Sequence, residues 1–439
     1  MLCRPVEAWL ADNAHQPRAI SKTILLKQSI NFRLSAVCIA AASVGLSMAI
    51  ISMAKLLLII CALAVLLTPR RLPQASAILA GKWTPIAALL IIFAFALSLF
   101  WTTAPSADAF GSLAKYGKLI VIVLMSLLIR TRREALYALA AFVLGQLFLL
   151  GSSWMLFAQL PVPWATSRMA LTANAVFSSY LDQSIIGATF AAICWHLRSL
   201  APGRFGRHVA VFFALLALLN VFFALIGRSG HVVAIALLSL AVMWELPKKY
   251  RAAVVLIPFI LALGLYFGSI KVHDRLTLVE KEVQSYSTEA QTSTSSGVRL
   301  RFWQTSVQAI LEHPLIGTGV GSWSTEYNRL QHVRNPAHQD VEGNGNPHQE
   351  YLLWGVQLGI PGVLLLAFLM LSIARDSTRM DKPCARATQS VLLALAVACL
   401  FNASLYDAQI GDFFCVALGL LLALGLSGNA AQSNREQAS

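Results

Sequence analysis

Runs of about 20 consecutive, largely apolar residues, the length of a helix that crosses a bilayer, follow one another along this sequence with few interruptions. In hydrocarbon every backbone N–H and C=O needs a partner within the chain, so continuous apolar runs of that length fold as helices. About twelve are read, at roughly 34–50, 52–68, 83–101, 110–129, 135–157, 180–197, 209–227, 231–246, 252–270, 350–373, 387–406 and 409–427. A content of 57% hydrophobic against 12% charged residues excludes a soluble globular chain of 439 residues. The predicted fold is an all-α polytopic membrane protein: 1–270 holds transmembrane helices one to nine, 271–349 one large external loop, and 350–439 helices ten to twelve. The first 30 residues are polar, so no cleavable signal peptide is expected and the first span directs insertion.

Lysine and arginine set the orientation, because cytoplasmic connections retain positive charge. Arg70, Arg71 and Lys82, then Arg130, Arg132 and Arg133, then Arg198, Arg204 and Arg207, then Lys248, Lys249 and Arg251, and finally Arg375, Arg379, Lys382 and Arg386 mark every second connection. Arg4, Arg18, Lys22, Lys27 and Arg33 add the N-terminal segment to that side, so both termini are expected in the cytosol and the 271–349 loop outside. The net charge of +14 then reflects topology and anionic lipid head groups. Nucleic acid is not an expected partner, since no basic, aromatic-studded soluble region exists to hold it. Cys38, Cys61, Cys194, Cys399 and Cys415 fall in spans, and Cys3 and Cys384 on the cytoplasmic side, which leaves neither an external disulfide framework nor a zinc cluster.

Topology asks for no cations outside, so the few found there are candidates for binding anions. Arg168 lies in the connection after the fifth span, Arg228 in the short GRSG between the seventh and eighth, and Lys55 near the first turn. Lys115 and Lys118, three residues apart, share a face near the external end of the fourth helix. Charges at that depth either face a polar cavity or snorkel to head groups. Within the loop, SGVRLRFWQTSVQAILEHP reads as an amphipathic helix with Leu300, Trp303, Val307, Ile310 and Leu311 on one face, able to lie in the membrane interface with Arg299 and Arg301 at its start. The GTGVGS that follows lacks the strand and lysine of a nucleotide-binding loop and reads as a turn, and VQSYSTEAQTSTSSG as a linker.

The loop ends in NPHQEYLLWGVQLGIPG, where Asn346 suits an N-cap and Pro347 the first helical position, placing His348 in the first turn of a new helix. The helix dipole disfavours imidazolium there, leaving a neutral ring able to accept a proton; the alternative is a structural histidine closing the loop. A metal site from His338, Asp340, Glu342 and His348 matches no familiar spacing, and with no DxD-like acidic pair outside, no metal or other cofactor is expected. Asp407 and Asp412 flank the last external turn, where they either orient a base or bind sugar hydroxyls, or are solvated loop residues.

SSGVRLRFWQTSVQAILEHPLIGTGVGSW followed by NPHQEYLLWGVQLGIPG resembles the signature region of the O-antigen ligase and polymerase superfamily, and GRSG resembles its arginine at the external end of a span. A His-Gln pair stands here where many such sequences have His-Asn or His-Ser. The resemblance implies a GT-C-like membrane glycosyltransferase of the bacterial inner membrane with its active site on the periplasmic side. Such an enzyme takes a glycan from undecaprenyl pyrophosphate and joins it to an acceptor, which for a ligase is lipid A-core. The pyrophosphate is already a good leaving group, so the chemistry needs cations over it and a base at the acceptor hydroxyl. On this reading His348, Arg228 and Arg168 are catalytic, and Arg299, Arg301, Lys115 and Lys118 bind substrate. Polymerases and protein O-oligosaccharyltransferases share the motif and remain alternatives. A transporter or flippase is disfavoured by the absence of an obvious repeat between halves and by polarity gathered at one face.

Overall fold

The computed structural model describes residues 32–67, 79–256, 295–334 and 345–436, besides three isolated positions. Every regular element among them is helical: α1 (Phe32–Ser43), α2 (Met48–Leu66), α3 (Trp83–Leu97), α4 (Ser106–Tyr116), α5 (Ile120–Leu128), α6 (Arg132–Phe157), α7 (Tyr180–Leu197), α8 (Gly203–Leu219), α9 (Arg228–Glu245), α10 (Ser295–Glu312), α11 (Trp323–Arg334), α12 (Glu350–Ser377), α13 (Lys382–Phe401) and α14 (Ala408–Glu436). Nine stretches among the described residues are long and apolar enough to cross a membrane: Met48–Leu66, Trp83–Phe100, Ser106–Leu128, Arg132–Phe157, Gly203–Ala224, Arg228–Glu245, Glu350–Ser377, Lys382–Phe401 and Ala408–Leu426. The chain is a polytopic helical membrane protein. The span expected at 180–197 forms α7, yet Asp182, Gln183 and His196 keep it outside that apolar set. The span at 252–270 and the linker fall largely outside the described residues.

The first expected span, 34–50, is corrected: its helix stops at Ser43 and the next begins at Met48. Gly45 lies so close to Gly145 of α6 that a Cβ on Gly45 would sit 2.2 Å from the Gly145 carbonyl oxygen, and the chain turns at that crossing. Lys55 consequently lies inside α2 instead of at a turn, and its ammonium is 2.8 Å from the buried carboxylate of Asp412 on α14. Arg33, expected to mark the cytoplasmic side, is also buried, bonded to Glu134 and the Leu128 carbonyl. The middle of the bundle is α14, whose apolar window is 94% buried against α5, α6 and α13.

What fixes the loop region on the bundle is a break in α12. Pro361 has no N–H to give the Gln357 carbonyl, and Gly359 leaves the helix at φ 69°, ψ −158°. The freed carbonyls of Val356 and Gln357 accept instead from the amides of Thr318 and Gly319, while Ile360 N–H turns to the Pro314 carbonyl. GTGVGS is thus a turn, as expected, and it replaces the hydrogen bonds lost at the break, one through Pro361 and one through the turned amide of Ile360. Gly317 (φ 63°) and Gly359 approach each other's segments so closely that a Cβ at either would lie 2.5 Å from backbone. Gly359→Ala is expected to destabilise the fold by at least ~1–3 kcal/mol from the backbone conformation alone. Gly111→Ala, in open space, should be neutral or slightly stabilising. Thermal unfolding of both variants in detergent measures the difference.

α10 is only partly the amphipathic helix expected. Phe302, Thr305, Ser306 and Ala309 form its buried face, packed on α11 and α12, with Trp303 and Ile310 half-buried beside them. Leu300, Val307 and Leu311 point away from the protein, so the expected face is divided between core and surface. The reason is size: small Thr305, Ser306 and Ala309 allow close approach to α12, where the Ile310 side chain meets Gly355.

Candidate functional site

α10, α12 and the segment linking α13 to α14 converge on His348. The Asn346 side chain does not cap a helix as expected; its Oδ1 accepts the His348 amide at 2.8 Å, closing a turn that sets His348 at φ 54°. The helix starts two residues later, at Glu350, with Gln349 as its N-cap accepting the Leu352 amide at 2.6 Å. His348 is therefore held just outside the helix in a left-handed conformation that side-chain-bearing residues seldom adopt and that clusters at functional sites. The Gln of the His-Gln pair acquires a role here as the N-cap of α12.

The ring is positioned from two sides. Phe302 of α10 lies over it, centroids 6.4 Å apart and planes 26° off parallel, and Trp303 Nε1 holds the preceding Pro347 carbonyl at 3.2 Å. Asn402 hydrogen-bonds the imidazole, and its own amide donates to Asp182 Oδ1 at 2.9 Å. With the Asn402 amide donating to Asp182, its carbonyl oxygen is the atom left to accept from a ring N–H. The other ring nitrogen is left with its lone pair. Burial, and secondarily the Arg299 guanidinium, push the His348 pKa below the ordinary imidazole value despite Asn402. The cause of this lowering is burial, not the helix dipole expected from the sequence.

Arg299 is half-buried, and burial followed by the charge of Arg228 lowers its own pKa, with Tyr180 acting in the opposite sense. Arg228 is the first residue of α9, where Gly227 and Gly230 pack on Ser184 so tightly that Cβ atoms would lie 2.3 and 2.1 Å from its hydroxyl. The starts of α7 and α9 and the start of α10 thus bring Arg228 and Arg299 within electrostatic reach of each other. Among the described residues neither guanidinium has a carboxylate partner or a side-chain hydrogen bond. Two like charges without a carboxylate partner among the described residues make a locally positive region, which favours an anion.

Other expected residues are placed differently. Arg301 lies on the other side of α10 and hydrogen-bonds Tyr327, away from Arg299, as a two-residue spacing on a helix requires. Lys118 is buried, its ammonium donating to the carbonyls of Tyr406 (3.1 Å), Asp407 (2.6 Å) and Ala408 (3.3 Å); it fastens the last turn and is not available to a ligand. Lys115 remains accessible, its ammonium 4.1 Å above the Tyr406 ring, on the wall of a 690 Å³ groove that also includes Asp108, Ser112 and Gly345. Arg168 is exposed, and its guanidinium makes no hydrogen bond or ion pair among the described residues. Its loop is tied to the Arg228 end of the bundle by Asn174, which donates to the Ala224 carbonyl.

Asp407 and Asp412 are not solvated loop residues. Asp412 pairs with Lys55 as described, and Asp407 accepts from Asn346 Nδ2 at 3.0 Å, with burial pushing its carboxyl up to about 6 against the pull of Lys118 and Lys115. Sequence reasoning missed Asp182, Asn402 and Glu350. Glu350 is fully buried and accepts from the Leu405 amide (2.7 Å), the Tyr406 amide (3.3 Å) and the Trp354 indole (2.6 Å), joining the base of the His348 segment to the last turn. An acidic residue inside or at the start of an apolar run was the available signal for Asp182 and Glu350. His338, Asp340 and Glu342 lie outside the described residues.

A family model described as O-antigen ligase matches residues 212–367, the stretch that carries Arg228, Arg299, the GTGVGS turn and His348. No curated protein matches the chain.

Proposed function

We propose that the chain is a member of the O-antigen ligase superfamily, whose family model matches residues 212–367, and that it is a metal-independent, inverting glycosyltransferase of the ligase type. It moves an O-antigen glycan from undecaprenyl pyrophosphate to a sugar hydroxyl of lipid A-core at the periplasmic face of the inner membrane. The observation that carries this reading is the pair Arg228 and Arg299, without a carboxylate partner among the described residues, near a histidine whose pKa burial and Arg299 lower.

The acceptor hydroxyl gives its proton to the free nitrogen of His348 as its oxygen forms the new bond to the anomeric carbon. The bond from that carbon to the pyrophosphate oxygen breaks, and its electron pair leaves with undecaprenyl pyrophosphate. Displacement from the opposite face inverts the anomeric centre. Arg228 and Arg299 present planar forks to the phosphate oxygens and stabilise the charge that grows there. Arg168, on the adjoining exposed loop, is the outer cation of the same site, and Lys115 with Tyr406 lines a groove roomy enough for sugar. Asn402, held by Asp182, positions the ring and offsets part of the charge it acquires.

A deletion strain tests the acceptor. Loss of all long chains from its lipopolysaccharide, with lipid-linked polymer accumulating, is the expected result; lipopolysaccharide capped by single repeats would identify a polymerase and overturn the ligase assignment.

A further inference from the structure

At the end of the bundle opposite His348, a cationic pocket meets an apolar slot. α7 and α13 each run from one end to the other: Asp182 and Asn402 lie at the His348 end, His196 and Lys382 at the far one. The far pocket, of about 250 Å³, is lined by Arg198, Arg207, Lys382 and Arg386 together with His196. His196 also lines a 360 Å³ slot between α7, α8 and α9, walled by Ala188, Ala191, Ala192, Ala214, Leu218 and Leu237. The short alanine side chains of α7 leave the slot between the helices unfilled. Leu215, 53% exposed, forms the slot's outer lip, which opens to the side of the bundle where lipid chains lie.

The mouth is built rather than a scatter of solvated charges. Arg386 donates to Glu245 (3.1 Å) and to the Trp244 carbonyl (3.0 Å), and Arg198 reaches the same carboxylate (3.9 Å) while lying 4.1 Å above the Trp195 ring. Glu245 thus pairs with two of the four cations at the mouth, and Arg207 and Lys382 have no partner among the described residues. Positive charge at the end of a membrane-spanning bundle, with Trp195 and Trp244 against its arginines and an apolar slot adjoining it, is complementary to one kind of molecule.

We propose that this pocket and slot form a specific site for an anionic phospholipid, the phosphate head group between Arg207, Lys382 and Arg386 and one acyl chain in the alanine-walled slot. The site is separate from the transfer chemistry. Native mass spectrometry of the full-length protein, delipidated and titrated with phosphatidylglycerol, phosphatidylcholine or inorganic phosphate, tests it. Phosphatidylglycerol is expected to be retained through detergent exchange and phosphatidylcholine lost. Arg207→Ala combined with Lys382→Ala, at exposed positions away from Glu245, should weaken retention roughly 30-fold, the loss expected for two basic residues at a membrane surface. Ala191→Phe fills the slot but leaves the mouth intact, and should weaken it comparably. Equal retention of both lipids, no change in either variant, or inorganic phosphate competing as well as the lipid would each overturn the proposal, the last by showing an anion site without a chain site.

Discussion

His348→Ala is expected to lower the rate of glycan transfer by a factor of roughly 10²–10⁴, the usual worth of a positioned general base, with protein abundance and thermal stability unchanged. Abundance should hold because the side chain fills no core position; the local turn is closed by Asn346, and the helix that follows is capped by Gln349. The pH dependence makes the assignment specific. A base works only when neutral, so activity falls as pH drops through the pKa of His348, and burial and Arg299 together place that limb below the ordinary imidazole range. Removing the guanidinium in Arg299→Met lets the pKa rise, so the limb should move to higher pH. Asn402→Ala removes the contact that favours the protonated ring, so its limb should move to lower pH while the maximal rate falls through lost orientation. A merely structural Asn402 would lower the rate without moving the limb. Near-normal glycan-capped lipopolysaccharide in His348→Ala would remove the base from the mechanism.

The parts of this site that could be read from the sequence are those fixed by solvent and topology. Apolar run length announces spans such as Arg132–Phe157, and the scarcity of cations in external connections singles out Arg228 before any neighbour is known. Tertiary proximity could not be read in the same way. Lys115 and Lys118 share a helix face and a charge, yet one borders an open groove and the other is consumed by three backbone carbonyls from a turn nearly 300 residues away. Asn402 lies unremarked within the apolar run 387–406, and only the meeting of α7 with the α13–α14 turn gives it Asp182 on one side and His348 on the other. The break in α12 was not read from the sequence, although Gly359 and Pro361 are the residues that make it, and its consequence, carbonyls freed to receive the GTGVGS turn, depends on what packs there.

Arg228→Lys is expected to lower transfer substantially although the charge is kept. The guanidinium offers two parallel N–H donors to a phosphate, whereas an ammonium on a more flexible stem offers a point charge and loses more freedom on binding. Arg228→Ala should cost roughly 10²–10³ in rate, as removal of a donor to developing charge does elsewhere, with lysine between alanine and the wild type. The backbone at this position is fixed by Gly227 and Gly230 against Ser184, so neither substitution should shift α9, and the loss can be read as loss of the side chain. The acid limb separates the two arginines. His348 feels Arg299, and Arg228 is not among the charges that move it, so Arg228 variants should lower the rate at every pH and leave the limb in place. A limb that moved in Arg228→Ala as it does in Arg299→Met would mean that both arginines act by tuning the base. One that moved in neither, with activity lost in both, would leave pyrophosphate binding as their shared role and assign the low pKa of His348 to burial alone.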